Sequence, residues 1–177
     1  MPFELEAFAP AEVDTQAQMR NGGRVKGHDE WLTPPGLIRS LGPFDLDPCA
    51  PTVRPWPTAT RHIAPPENGL LMRWDGRVWM NPPFSQNARW IGRLAQHGNG
   101  IALVPARTDS RWFQEIAWPN AAAALFLRGR QRFYKVDGSI GAFGAAMPLV
   151  LFAFGESNRE TLLTCGISGL LWSAPDA

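Results

Sequence analysis

The chain has 177 residues and a formal net charge of +1, from 17 Lys and Arg against 16 Asp and Glu. That length fits one domain, or one domain with a tail, and the near-neutral total excludes a histone-like protein that grips nucleic acid by bulk charge. A hydrophobic content of 45% excludes a wholly disordered chain, and two cysteines, Cys49 and Cys165, cannot build a disulfide scaffold or a Cys-rich zinc site.

No apolar run approaches the roughly 18 residues of a membrane span. The opening MPFELEAFAPAEVD is acidic and lacks a basic n-region, so no signal peptide is expected and a reducing, cytoplasmic setting follows. Lysine occurs only at Lys26 and Lys135, leaving arginine as nearly the whole cationic complement, beside 17 Pro, 17 Gly and 8 Trp. Arginine forks hold phosphates and tryptophan faces stack on bases, but GC-rich coding would enrich Arg, Pro and Gly equally well.

In chain order, residues 1–28 carry little apolar periodicity and the breaker Asn21-Gly22-Gly23. They read as a loosely ordered tail with one short helix around Ala11–Met19, ahead of a single domain over 29–177. Pro35–Leu41 reads as a helix, with proline tolerated in its first turn. Phe44–Leu46 is a short strand stopped at Asp47-Pro48. The proline-rich stretch 50–68 should be mostly extended loop with a short strand at Arg61–Ala64. Arg77–Met80 is a strand halted by Asn81-Pro82-Pro83. Ala88–Gln96 is a helix ending at Gly98. Ile101–Val104 is a buried strand, and Ser110–Ala117 a helix capped by Asp109 or Ser110. Ala122–Leu127 and Leu149–Phe154 are two further apolar strands, joined through Arg128–Pro148 without a clear helix. Alternating strands and helices predict a Rossmann-like α/β sandwich, its sheet mainly parallel with an antiparallel edge hairpin.

In such sheets ligands gather beyond the carboxyl ends of the strands. Three of those ends are chemically unusual: Asp47-Pro48-Cys49-Ala50, Asn81-Pro82-Pro83-Phe84 and Pro105-Ala106-Arg107-Thr108. In the second, the Asn81 amide oxygen accepts a hydrogen bond, and two prolines fix the backbone while removing two N–H donors. Phe84 then adds a stacking face. The set suits a planar ring bearing an exocyclic NH2 group. The plainer alternative is a strand ended by Pro-Pro, with Phe84 in the core and Asn81 in the turn.

An Asn-Pro-Pro-Phe turn after a strand resembles the catalytic motif of amino-methyltransferases. Trp31-Leu32-Thr33-Pro34 resembles the Thr-Pro cofactor motif of adenine methyltransferases, and Phe44-Asp45-Leu46-Asp47-Pro48-Cys49-Ala50 their first cofactor motif. With Asn68-Gly69-Leu70, Trp74-Asp75-Gly76, Leu103–Thr108 and Arg128-Gly129-Arg130 in that order, the chain is similar over about residues 29–155 to the phage-type DNA N6-adenine methyltransferase (Dam) family. The resemblance implies transfer of a methyl group from S-adenosylmethionine to adenine N6 in DNA. It makes Asn81, Pro82, Pro83 and Phe84 the catalytic set, and Trp31, Thr33, Pro34, Asp47, Pro48, Cys49 and Asn68 the cofactor set. No metal or membrane is implied. Asp47 could instead be a turn or helix-cap carboxylate, Asn68 a turn residue, and Cys49 a small packed side chain. One departure stands out: no glycine follows Asp47-Pro48-Cys49, where most methyltransferases place a glycine-rich turn.

Between residues 86 and 135 eight cations face two anions, Asp109 and Glu115. Phosphate contact is expected there, from Arg107, Arg128, Arg130 and Arg132, with residues 131–147 as a DNA-reading hairpin. His28, His62 and His97 look like surface or turn residues. The competing readings keep the chemistry but change the acceptor to cytosine N4, RNA adenine or a protein amide. Another drops the chemistry, leaving a silent methyltransferase fold that binds nucleic acid.

Overall fold

The computed structural model describes residues 32–141 and 145–175. Trp31, the tail 1–28 and its expected helix around Ala11–Met19 lie outside the described residues. Among the described residues there are four helices: α1 (Pro35–Leu41), α2 (Asn87–His97), α3 (Trp118–Asn120) and α4 (Glu156–Thr164). They accompany seven strands: β1 (Leu46–Asp47), β2 (Arg61–His62), β3 (Val78–Met80), β4 (Gly100–Pro105), β5 (Ala123–Leu127), β6 (Leu149–Phe154) and β7 (Gly169–Ser173). One sheet holds all seven in the order β2-β1-β3-β4-β6-β5-β7.

β2, β1, β3 and β4 run parallel, while β6 is antiparallel to both β4 and β5. Two reversals restore direction, so β5 points the same way as β4. The C-terminal ends of β1, β3, β4 and β5 therefore share one edge of the sheet. The expected antiparallel hairpin is β5–β6, and β7, which the sequence pattern had not suggested, extends the sheet beyond it by pairing antiparallel with β5.

Alternation along the strands builds two cores. Val78, Met80, Ala102, Val104 and Phe152 face one side, where Trp90, Ile91 and Leu94 of α2 and Phe113 cover them. Trp79, Ile101, Leu103 and Leu151 face the other, beneath Leu37 and Leu41 of α1 and Leu162 of α4. The central strands are buried on both faces, which is why they read as continuous apolar runs.

In α2 the buried residues Asn87, Trp90, Ile91 and Leu94 recur at helical spacing. The helix ends on Gly98, whose left-handed backbone (φ 73°) lets its N–H reach the Leu94 carbonyl. The expected helix over 110–117 runs to residue 120 through a widened π-type turn, Phe113–Ala117. Pro119 follows it. A proline has no N–H, and its ring crowds the carbonyl four residues back, which a widened turn relieves. Ser110 does not cap with its side chain; its hydroxyl donates to the Arg107 carbonyl at 2.6 Å.

Candidate active site

The site starts where β1 and β2 pair. Parallel register sets Asp47 beside His62, and the Ile63 N–H donates to the Asp47 carbonyl at 2.9 Å. The Asp47 carboxylate, 3% exposed, stands at the end of its strand. Its Oδ2 accepts from the Thr58 hydroxyl at 2.5 Å and its Oδ1 from the Cys49 N–H at 3.1 Å. Burial pushes its pKa up from 3.8 to about 6, against the pull of Thr58, Cys49 and Arg54. Burial, then the neighbouring Asp47, pushes the Cys49 thiol well above its ordinary value. That sulfur is a packed thiol, not a nucleophile.

β3 carries the second group. Its three residues are fully buried between β1 and β4, so the next residue, Asn81, leaves the sheet at a fixed point. The Asn81 Nδ2 donates to the Thr33 hydroxyl at 3.2 Å. With the nitrogen on the Thr33 side, the amide oxygen faces the other way. Thr33 is itself held: the Trp56 indole N–H donates to its carbonyl at 3.1 Å. Pro82 is buried and Pro83 extended (φ −54°, ψ 120°), and Phe84 opens a short 3-10 turn with its side chain 38% exposed. Thr33, counted among the cofactor residues from sequence, thus sits against the Asn81 amide. Pro34 caps α1, its carbonyl accepting the Leu37 N–H.

Two cavities meet at these residues. A small one of about 20 Å3, room for a single water, lies among Thr33, Asp47, Arg54, Trp56, Trp79 and Asn81. A larger one of about 370 Å3 opens beside it, walled by Pro48, Glu67, Asn68, Asn81, Pro83 and Trp90. Cys49, Pro51 and Asn81 line both. The larger volume falls within the range of small-molecule and cofactor sites. The larger cavity offers an exposed carboxylate (Glu67) and an indole face (Trp90), and the buried Asp47 carboxylate lines the small cavity that adjoins it. Trp90 adds an indole nitrogen that is buried without a hydrogen-bond partner. Asn68 forms a turn, its Oδ1 accepting the Leu70 N–H at 3.1 Å, and the residue lines the larger cavity.

A family model described as DNA N-6-adenine-methyltransferase (Dam) matches residues 22–162. The chain belongs to the Dam family. Membership implies methylation of adenine N6 in DNA with S-adenosylmethionine as methyl donor, and a methyltransferase-like fold agrees with the mixed sheet. No curated protein and no solved structure matches the chain.

Within this Dam-family fold, Arg107 follows β4, and Arg128, Arg130 and Arg132 follow β5, at the sheet edge that bears Asp47 and Asn81. Arg107 is exposed and pairs with Asp109 at 3.4 Å. Arg128 and Arg132 are exposed. Arg130 donates Nη1 to the Ala145 and Ala146 carbonyls, so it braces its own loop. That segment then crosses the pocket wall: Tyr134 and Leu32 exchange backbone hydrogen bonds, and the Tyr134 ring meets Trp56 edge-on at 5.0 Å.

Sequence reasoning missed several members. Thr58, Arg54 and Trp56 lie in a proline-rich loop whose sequence gives no sign that it folds back over Asp47. Glu67 stood beside the noted Asn68 and could have been found as a carboxylate just beyond β2. His62 is half-buried and engaged rather than a surface residue. Its Nε2 faces the N–H groups of Thr58 (3.2 Å) and Ala59 (3.3 Å). Among the described residues no cluster of three or more His, Cys, Asp or Glu could hold a metal, and no helix is long and apolar enough to cross a membrane.

Proposed function

We propose that residues 29–177 act as one catalytic domain, with 1–28 as its tail, that flips adenine out of DNA and methylates its N6 at Asn81-Pro82-Pro83-Phe84. The observation that carries this reading is the Asn81 amide, fixed by Thr33 at the junction of the two cavities.

When bound, S-adenosylmethionine supplies a methyl group already activated by its sulfonium, so the protein's task is binding, alignment and charge stabilisation. Asp47 holds the ammonium, with Pro48 and Cys49 shaping that end. Glu67 takes the ribose hydroxyls, while Asn68, Pro83 and Trp90 enclose the purine. Thr33 stands between cofactor and target base, and Trp31 and Pro34 belong to the cofactor set that the family motif implies. The adenine amine is a poor nucleophile because its lone pair is delocalised into the ring. Hydrogen bonds from its N–H groups to the Asn81 oxygen and the Pro82 carbonyl draw the nitrogen toward tetrahedral geometry and stabilise its developing positive charge. Alignment of nitrogen, methyl and sulfur supplies up to roughly 7–11 kcal/mol more.

Extruding a base from the duplex costs a few kcal/mol. Stacking on the exposed face of Phe84 offsets part of that. Arg107, Arg128 and Arg132 contact phosphates, and Arg130 shapes the loop that presents them. Free thiols at Cys49 and Cys165 suit a cytoplasmic setting. The test is Asn81→Ala: labelling of DNA with radioactive cofactor should vanish while S-adenosylhomocysteine still binds. Near-wild-type labelling would remove Asn81 from its role.

A further inference from the structure

Asp47 is held by a device that the family motif does not contain. Its Oδ2 rests on the Thr58 hydroxyl, and Thr58 belongs to the loop between β1 and β2, not to either strand. The stretch of that loop bearing Thr58 is held by His62, the direct register partner of Asp47 across the β1–β2 pair. One ring nitrogen, Nε2, lies within hydrogen-bond reach of two consecutive backbone N–H groups, those of Thr58 and Ala59. Only a neutral imidazole with its proton on Nδ1 can accept them. A protonated ring would turn a donor toward two donors and release the loop.

We infer that His62 is a positioning residue for cofactor binding, acting through Thr58 to hold the Asp47 carboxylate ionised and aimed at the cofactor ammonium. The inference rests on the proposed role of Asp47 and names what sustains it. The contacts run from imidazole to the Thr58 backbone, from the Thr58 hydroxyl to the carboxylate, and from the carboxylate to the small cavity that adjoins the larger one through Cys49, Pro51 and Asn81. The charged and titratable groups that face it fit the same arrangement. Arg54 lines the cavity and favours the ionised Asp47; burial and the same Arg54 hold the His62 pKa below its usual value, which keeps the ring neutral. Cys49 donates its backbone N–H to the other carboxylate oxygen and carries no charge. Without Thr58, desolvation of Asp47 would be opposed by fewer hydrogen bonds, and the carboxyl would hold its proton to higher pH.

The experiment follows the Asp47 carboxyl carbon by NMR from pH 4 to 8, and S-adenosylhomocysteine affinity by calorimetry over pH 5.5 to 8, in the full chain. Thr58→Val should raise the Asp47 midpoint by about half a pH unit or more. It should also weaken binding roughly 1.5- to threefold near pH 6.5, with the gap closing toward pH 8. Thr58→Ser should restore both. His62→Phe should shift the midpoint in the same direction, and His62→Gln, whose amide oxygen can still accept an N–H, should restore much of it. Because His62 acts through Thr58, the double variant Thr58→Val/His62→Phe should move Asp47 no further than Thr58→Val alone.

An unmoved midpoint in Thr58→Val, or additive shifts in the double variant, would overturn the inference. The underlying reading fails differently: Asp47→Asn would then bind S-adenosylhomocysteine as well as the wild type does. The NMR midpoint reads the His62–Thr58–Asp47 linkage even in that case.

Discussion

Asp47→Asn should make the cofactor-free protein more stable at neutral pH while crippling its cofactor affinity. The carboxylate is 3% exposed, and burial lifts its pKa from 3.8 to about 6. Carrying that charge in the fold at neutral pH therefore costs about 3 kcal/mol. An amide of nearly the same shape removes the charge. It can satisfy only one of the two donors at the site, the Thr58 hydroxyl and the Cys49 N–H, with its oxygen, and a weakened hydrogen bond returns roughly 0.5–1.5 kcal/mol of the gain. The net expectation is about 1.5–2.5 kcal/mol, or roughly 3–10 °C in melting temperature for a domain of this size.

The sign must depend on pH. Between 3.8 and about 6 the folded protein holds a proton that the unfolded chain has released, so wild-type stability falls as pH rises through that window. At pH 4 the charge penalty has shrunk to about 0.5 kcal/mol, and the lost hydrogen bond cancels it. Calorimetric melting of both proteins at pH 4 and pH 8, without cofactor, checks this. S-adenosylhomocysteine titration of the variant at pH 8 should show affinity down roughly ten- to hundredfold, the worth of a charge-assisted hydrogen bond. A variant equally destabilised at both pH values would refute the reasoning, because the buried charge would then impose no penalty.

Gly69→Ala should lose cofactor affinity and stability together, because an added Cβ would stand 1.8 Å from the Pro48 carbonyl oxygen. Overpacking against backbone costs roughly 1–3 kcal/mol, measurable by urea titration. Arg128→Ala and Arg132→Ala should each flatten the salt dependence of DNA binding by about one counterion, while Arg130→Ala should instead loosen the 128–148 loop and raise its hydrogen exchange. Trp172→Ala should cost about 2 kcal/mol in urea titration without touching catalysis, since that ring stacks on Trp118 at 4.3 Å, outside both cavities.

The strands and helices that position the site were legible because their signals are local. Leu149–Phe154 is a continuous apolar run whose bounds the structure reproduces, and α2 displays helical periodicity closed by Gly98. Asn81-Pro82-Pro83-Phe84 announces itself because two prolines can only end a strand. α4 and β7 were missed for opposite reasons. α4 buries little besides Asn158 and Leu162, so its pattern is faint, and β7 is an outer strand whose Leu170 is 74% exposed. The tryptophans resolve by place: Trp118 and Trp172 pack together, whereas Trp56, in the proline-rich loop, reaches the pocket. Thr58 and His62 were illegible because their significance is a register, Asp47 against His62, that exists only once β1 and β2 pair.

The missing glycines after β1 find a physical answer in the same place. A glycine-rich turn is useful where backbone must approach closely, since a Cβ would hold the surfaces apart. Here the close approach lies between two loops, and the glycine sits on the far side of it. Gly69 presses against the Pro48 carbonyl, and the Gly69 carbonyl in turn accepts the buried Trp74 indole N–H at 2.7 Å. Trp74 stacks on Trp90, which walls the larger cavity. The loop after β1 can therefore keep Pro48, Cys49 and Ala50, which are stiff and buried or half-buried, because the second loop is narrow enough to close on it. A glycine-poor first motif is thus compatible with a formed cavity, provided position 69 remains glycine. That dependence ties Asn68-Gly69, in the next loop beyond β2, to the same site as Asp47.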